Sequence, residues 1–267
     1  MSFELYKRAV KCTDAKIGIV SNNDELIRDP RYFESPKVES LLTNVHQLPE
    51  IPYENTDADF IVIDDPQIKP SVSIGERTCF CSGNFSSWER ECKDIRYSLF
   101  GNLGLFFRYS LAVLERFHGI YSFHASSMYI PSNNTLLLVV GGAGAGKTVY
   151  LLKGVVEGWK FFSTEMTHLR VTDDGYEFYK GSLYDNVRVG NLVYDFPEAI
   201  DKLGVKIPEV DNVWGHKITI DLRPMQAEDV YRNPRVQILI ARIESDRKKA
   251  DVSVVKEKDK ILWTLYQ

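Results

Sequence analysis

Leu136-Leu137-Leu138-Val139-Val140-Gly141-Gly142-Ala143-Gly144-Ala145-Gly146-Lys147-Thr148 is an apolar run that breaks into a glycine-rich loop ending in Gly-Lys-Thr. Gly141, four residues, then Gly146-Lys147-Thr148 is the spacing of a phosphate-binding (Walker A) loop, and each part has a physical task. Glycines at 141, 142, 144 and 146, with Ala143 and Ala145 between them, permit positive φ and the close approach that turns successive N–H groups on to an anion. Lys147 reaches the β- and γ-phosphates as a point charge, and the Thr148 hydroxyl, in the first turn of the next helix, is placed to ligate Mg²⁺. The helix N-terminus adds about half a positive charge behind the phosphates.

The same spacing also suits a mobile glycine loop, so the flanks decide. Asn134 to Val140 reads as a buried strand bounded by the turn Pro131-Ser132-Asn133. Thr148 to Val156 reads as a helix with Val149, Leu152, Val155 and Val156 on one face. Strand, glycine loop and helix in this order predict nucleotide binding.

Upstream, Ala15 to Ser21 and Asp59 to Asp64 read as short buried strands, with further strand candidates at Ser71 to Ile74 and Thr78 to Cys81. Ser87 to Arg96 is charged and helical in pattern. It leads into an apolar helix over Leu99 to Arg116, which should be buried between layers and capped by Gly119 in the left-handed conformation. Tyr121 to Ile130 alternates as a strand. After the loop helix, closed by Gly158, come a strand over Lys160 to Met166 and a hairpin with its turn at Thr172-Asp173-Asp174-Gly175. Lys217 to Leu222 and Val236 to Ile243 read as strands, and Ser253 to Tyr266 as a charged helix or strand. A doubly wound domain would alternate strands and helices throughout. The expected fold is therefore α/β with an α+β tendency: a strand-rich domain with a single phosphate-loop helix over residues 96–267, preceded by a smaller mixed region over residues 1–95.

At 267 residues, 44% hydrophobic and 26% charged, the chain has the composition of an ordinary folded soluble protein. A net charge of -4 lacks the basic excess of a general nucleic-acid or membrane-surface binder. No apolar signal core or membrane-length stretch is present, so a cytoplasmic location is expected. Cys79 and Cys81 would share one strand face and Cys92 lies on the charged segment; with Cys12 they read as reduced thiols rather than a metal set.

His124-Ala125-Ser126, a turn, an apolar strand, the Gly-x4-Gly-Lys-Thr loop, a helix closed by Glu157-Gly158, and then Phe162-Ser163-Thr164-Glu165 resembles HPr kinase/phosphorylase and its shorter relatives. The resemblance covers roughly residues 99–190. It implies the phosphoenolpyruvate-carboxykinase-like nucleotide fold, ATP and Mg²⁺ as cofactors, and phosphoryl transfer to a hydroxyl. It places His124 near the transferred phosphoryl group, although a strand histidine can also be satisfied by a neighbouring carbonyl. Glu165 aligns with an acidic position of the family, while Thr164 stands where an aspartate is usual. If Thr164 stands in place of the proton acceptor, Glu165 must both hold metal with Thr148 and serve as base, or His124 must act as base.

Other candidates are weaker. Asp173 and Asp174 are hairpin turn chemistry first. Arg188 and Arg223 could clamp a phosphate. His216 and Asp221, five residues apart, fall on opposite sides of a strand. The Gly-Arg-Asn signature of the bifunctional HPr enzymes is absent after Glu165, where the nearest string is Val189-Gly190-Asn191, so HPr is not the expected acceptor. A hydroxyl-bearing peptide, protein or small metabolite is, with room for a homo-oligomer and no nucleic-acid or membrane partner. The rival expectations are a nucleotide-binding regulator without phosphoryl transfer, which the Thr164 replacement supports, and a carboxykinase, for whose oxyacid pocket no motif is visible.

Overall fold

The computed structural model describes residues 4–33, 48–142, 144–243, 249 and 251–255. The chain divides into two compact units, one of Met1–Ser122 with His168–Asp173 and one of Phe123–Thr167 with Asp174–Gln267. The sequence suggested a boundary near residue 95, whereas this division keeps the long apolar helix with the N-terminal unit.

The first unit is built on β1 (Tyr6–Cys12), β2 (Ala15–Ser21), α1 (Asp24–Ile27), α2 (Pro30–Phe33), β3 (Glu50–Ile51), β4 (Ala58–Asp64), β5 (Ser71–Ile74), β6 (Thr78–Gly83), α3 (Phe85–Glu91) and α4 (Leu105–His118). Its six-stranded sheet runs β3-β1-β2-β4-β6-β5, with β2, β4 and β6 parallel. β1 was not legible in the sequence, because Lys7, Arg8 and Lys11 break its apolar pattern; pairing with β2 from Tyr6↔Ser21 to Cys12↔Ala15 fixes it. α4 buries Phe106, Phe107, Tyr109, Val113 and Leu114 and leaves Arg108, Ala112 and Glu115 exposed, so it is amphipathic rather than sandwiched between layers. It begins at Leu105, not Leu99. Gly101 and Gly104 sit so close to the carbonyls of residues 95–101 that any Cβ would collide, and this tight packing holds residues 99–104 out of the helix. Its core is aromatic: the Phe60 and Phe106 rings meet edge-on at 5.3 Å and Phe60 also contacts Phe100 and Tyr109. Gly119, at φ 62°, closes the helix as expected. The charged segment is helical only over Phe85–Glu91, with a 3₁₀ turn at Ile95–Tyr97.

The chain continues through β7 (Ile120–Ile130), β8 (Thr135–Val140), α5 (Lys147–Glu157), β9 (Lys160–Ser163), β10 (Met166–Thr172), β11 (Gly175–Tyr179), β12 (Tyr184–Arg188), α6 (Pro197–Leu203), β13 (Lys217–Asp221), β14 (Val230–Arg232) and β15 (Arg235–Ile240). The larger sheet runs β14-β11-β10-β7-β8-β15, with β9 also paired to β7, and β12 and β13 form a separate ribbon. The strand before the glycine loop, β8, lies between antiparallel β7 and parallel β15. The architecture is thus mixed α/β and strand-rich. Two expectations need correction. The strand over Lys160 to Met166 stops at Ser163, because the Ser163 hydroxyl turns back to the Met166 carbonyl and Thr164 N–H donates to Ser182 O at 2.9 Å. A second helix, α6, packs on α5, so the loop helix does not stand by itself.

α5 sits over a core of Met128, Leu137, Val139, Leu151, Leu152, Val155 and Phe161. Val149 and Val156 are only half-buried; Leu151 takes the place the sequence gave to them. Of the C-terminal segment, 253–255 carry no regular structure and 256–266 lie outside the described residues.

Candidate functional site

All six residues of β8 are buried, and the chain leaves the sheet at Gly141. Two of the loop glycines are required by packing. A Cβ at 141 would strike the Ala145 methyl, and Gly146, at φ 99°, is covered by Ile243, whose N–H donates to Ala145 O at 3.1 Å. Gly142 and Gly144, by contrast, face open space, with Gly144 at φ 82°; Ala143 lies outside the described residues. α5 starts at Lys147 with no side chain among the described residues capping it; Val149 and Tyr150 N–H donate to Gly146 O, which leaves the N–H groups of Lys147 and Thr148 for an anion or solvent. The Lys147 ammonium folds over the loop and donates to Gly141 O at 2.7 Å and Gly142 O at 3.4 Å. Burial lowers its pKa, while Glu165 and Asp185 oppose that shift.

Glu165 occupies the bend between β9 and β10. His124 Nε2 donates to Glu165 Oε2 at 3.0 Å, both groups being partly solvent-exposed. The His-Ala-Ser string explains the pairing. His124 and Ser126 are two apart on β7 and so share a face. The buried Ser126 hydroxyl donates to Thr164 O at 2.6 Å, which anchors the bend that presents Glu165 to His124.

Thr164 has a structural task. It is buried, and its hydroxyl lies 2.7 Å from Tyr184 O and 3.1 Å from Ser182 O. It therefore tethers the start of β12. The next residue on that strand is Asp185, an acid the sequence reading passed over. Its carboxyl is buried; Oδ1 accepts from Asn186 N–H at 2.8 Å, and Oδ2, with the Thr148 hydroxyl nearby, has no hydrogen-bond partner of good geometry among the described residues. Burial first, and the Glu165 charge second, push its pKa up to about 7, against the Thr148 hydroxyl and the Asn186 amide. A buried carboxylate oxygen without a donor is costly unless something cationic meets it.

Lys147, Thr148, Glu165, His124 and Asp185 thus converge at the loop. Thr148, Asp185 and Glu165 have the oxygen chemistry of a Mg²⁺ site that draws its remaining ligands from water and phosphate. The unpartnered Asp185 Oδ2 and the open backbone at Gly142 and Gly144 fit such a metal–nucleotide pair. Among the described residues no three His, Cys, Asp or Glu side chains form a metal cluster by themselves.

The remaining candidates stay outside this group. Asp173 and Asp174 form the β10–β11 turn. Arg223 pairs with Asp221 at 2.6 Å and lies over the Tyr184 ring, and Arg188 Nη1 donates to Trp214 O. The four cysteines are free thiols. No helix among the described residues is long and apolar enough to cross a membrane. No protein-family model matches this chain, and no curated protein matches it.

Proposed function

We propose that this protein is an ATP- and Mg²⁺-dependent kinase of the phosphoenolpyruvate-carboxykinase-like type, transferring a phosphoryl group to a hydroxyl of a peptide, protein or small metabolite. The observation that carries the reading is the buried Asp185 carboxyl next to Thr148 and Glu165, at the mouth of an uncapped glycine loop. The antiparallel neighbour β7 beside the loop strand supports this fold over a wholly parallel one. Phosphoryl transfer needs little covalent help from a protein; it needs positioning and charge neutralisation.

In this reading the loop amides and Lys147 bind the phosphates, and Thr148, Asp185 and Glu165 would hold Mg²⁺, which when bound would neutralise charge on the phosphate oxygens. The acceptor oxygen forms a bond to the γ-phosphorus as the bond to the β–γ bridging oxygen breaks and ADP leaves. Glu165, held by His124, takes the hydroxyl proton. Thr164 takes no part in the chemistry, and Asp185 supplies the second acid in its stead, which weakens the support that the Thr164 position lends to a regulator without transfer.

The test is Mg-ATP turnover against serine-containing peptides, hydroxy amino acids and sugars, read by phosphorus NMR or mass spectrometry. Phosphate on an acceptor, lost in Lys147→Ala and Glu165→Gln, is the expected result. Tight ATP binding with neither transfer nor hydrolysis would reject the kinase reading in favour of a nucleotide-binding regulator.

A further inference from the structure

β5 is the last strand of the N-terminal unit's sheet, and among the described residues its outer edge is unpaired. Its register on β6, from Ser71↔Ser82 to Ile74↔Cys79, decides which groups that edge presents. Gly75 N–H donates to Thr78 O at 2.7 Å, so Gly75 and Thr78 are the hydrogen-bonded pair that closes the hairpin. Bonded and non-bonded pairs alternate along an antiparallel ladder. Ser71 and Ser73 therefore turn their backbone groups to β6, while Val72 and Ile74 turn theirs outward.

The side chains are as uncovered as the backbone. Val72 is 55% and Ile74 60% exposed, on the face that also carries the buried Cys79 and Cys81. Exposed edges are normally blunted by a charge, a proline or a bulge within the strand. Ser71-Val72-Ser73-Ile74 has none of these, and Pro70 stands just before it. Lys69 at one end and Glu76 at the other are both exposed.

We infer that β5 is a dimerisation strand, pairing antiparallel with β5 of a second copy of this chain about a two-fold axis. Such an axis sets one residue opposite itself. With Ser73 opposite Ser73, Val72 faces Ile74 of the second copy and every outward N–H of these residues finds an outward C=O. Val72 opposite Val72 would instead set Ile74 against Pro70, which has no N–H, and Ile74 opposite Ile74 would set Val72 against Glu76 in the turn. In the Ser73 register the Val72 and Ile74 side chains of both copies meet on one face as β-branched pairs. The Lys69 end of each strand lies beside the Glu76 end of the other, one residue apart along the strand, so opposite charges meet at both ends of the joint. Arg77, next to Glu76, is held within its own chain by Asp57 O at 2.9 Å and by the Phe117 ring. One short strand per copy is a small interface, so the dimer is reversible.

Sedimentation velocity of the full chain over about a hundredfold range of concentration is expected to show a monomer–dimer equilibrium. Val72→Pro, which removes only a donor facing away from β6, and Val72→Lys should each raise the dissociation constant at least about tenfold with the melting temperature kept. At low salt Glu76→Lys should weaken the dimer about fivefold, and adding Lys69→Glu to it should restore the parent value. Ser73→Cys in a Cys92→Ser background should cross-link two copies when diamide is the oxidant, because a non-bonded pair about 4.5 Å apart at Cα is within reach of a disulfide. Ser71→Cys, about 13 Å from its counterpart, should not. A chain that stays monomeric throughout, a dimer of parent strength in both Val72 variants, no recovery in the charge swap, or equal cross-linking at 71 and 73 would overturn the inference. Should the Val72 variants fail to fold, the cross-link decides.

Discussion

Asp185 carries more of the account than its place in the sequence suggests. It is a lone acid in Tyr-Asp-Asn-Val-Arg, with no local motif, and its neighbours Thr148 and Glu165 lie 37 and 20 residues away. The unfolded chain ionises this carboxyl near about 3.9, whereas the folded chain holds it up to about 7. Between these values the unfolded state binds fewer protons, so Asp185 makes stability fall as pH rises from about 4 to about 7 and level off above, by on the order of 4 kcal/mol at most. Asp185→Asn, measured by urea unfolding in EDTA, is expected to remove this slope and to be more stable than the parent at pH 8 by about 2 kcal/mol. A variant less stable at pH 8, or an unchanged slope, would contradict the burial argument. Thr164 makes the complementary case. Thr164→Val deletes the hydroxyl that tethers Ser182 and Tyr184 and should cost about 1–3 kcal/mol. Thr164→Asp, which introduces the acid usual in the family that the sequence resembles, should destabilise further and leave turnover no higher, because a side chain at this position lies in a buried tether rather than at the loop.

At the scale of elements, the glycine loop separates glycines that shape the chain from those that leave space. Gly146→Ala meets both a positive φ and Ile243 and should lower the melting temperature and nucleotide affinity together. Gly142→Ala, without a positive φ and with open space around it, should leave the melting temperature within about 2 °C, since one kcal/mol moves a chain of this size by about 2–4 °C. Differential scanning fluorimetry of the two variants checks the contrast. The elements that the sequence announced were those whose signal is local: β8 with its apolar run Leu136 to Val140, β4 with its Phe60 and Val62, the Asp-Asp-Gly hairpin, and the helix ends at Gly119 and Gly158. Those it did not announce are held by distant partners. β12 has no apolar alternation and is fixed by Thr164 and by pairing with β13. The bend at Glu165 depends on Ser126, 38 residues earlier than the Thr164 carbonyl it holds. For this reason the glycine loop stood out as a motif, and His124 and Glu165 became candidates through the family resemblance, whereas Asp185, which has neither signal, did not.

Across the whole molecule, the cysteines report on packing in the N-terminal unit. Cys12, Cys79 and Cys81 are fully buried, while Cys92 is partly accessible at the end of α3. Burial pushes the Cys12 thiol up to about 12. The Cys81 S–H, 3.9 Å from the Cys79 sulfur, is raised as well. A thiol reagent at pH 8 should therefore label Cys92 rapidly in the folded protein and all four cysteines after unfolding; fast labelling of Cys79 or Cys81 in the native state would show that the sheet opens. These thiols belong to one unit, and every residue of the candidate site resides in the other.

The most direct test of that site is calorimetric titration of ATP into the parent protein and Asp185→Asn, each with Mg²⁺ and with EDTA. The parent should bind ATP at least about tenfold more tightly with Mg²⁺, and Asp185→Asn should retain the EDTA affinity while losing the Mg²⁺ gain. A variant that keeps the full Mg²⁺ gain would show that Asp185 does not hold the metal, and the assignment of this buried carboxyl to the nucleotide site would fall.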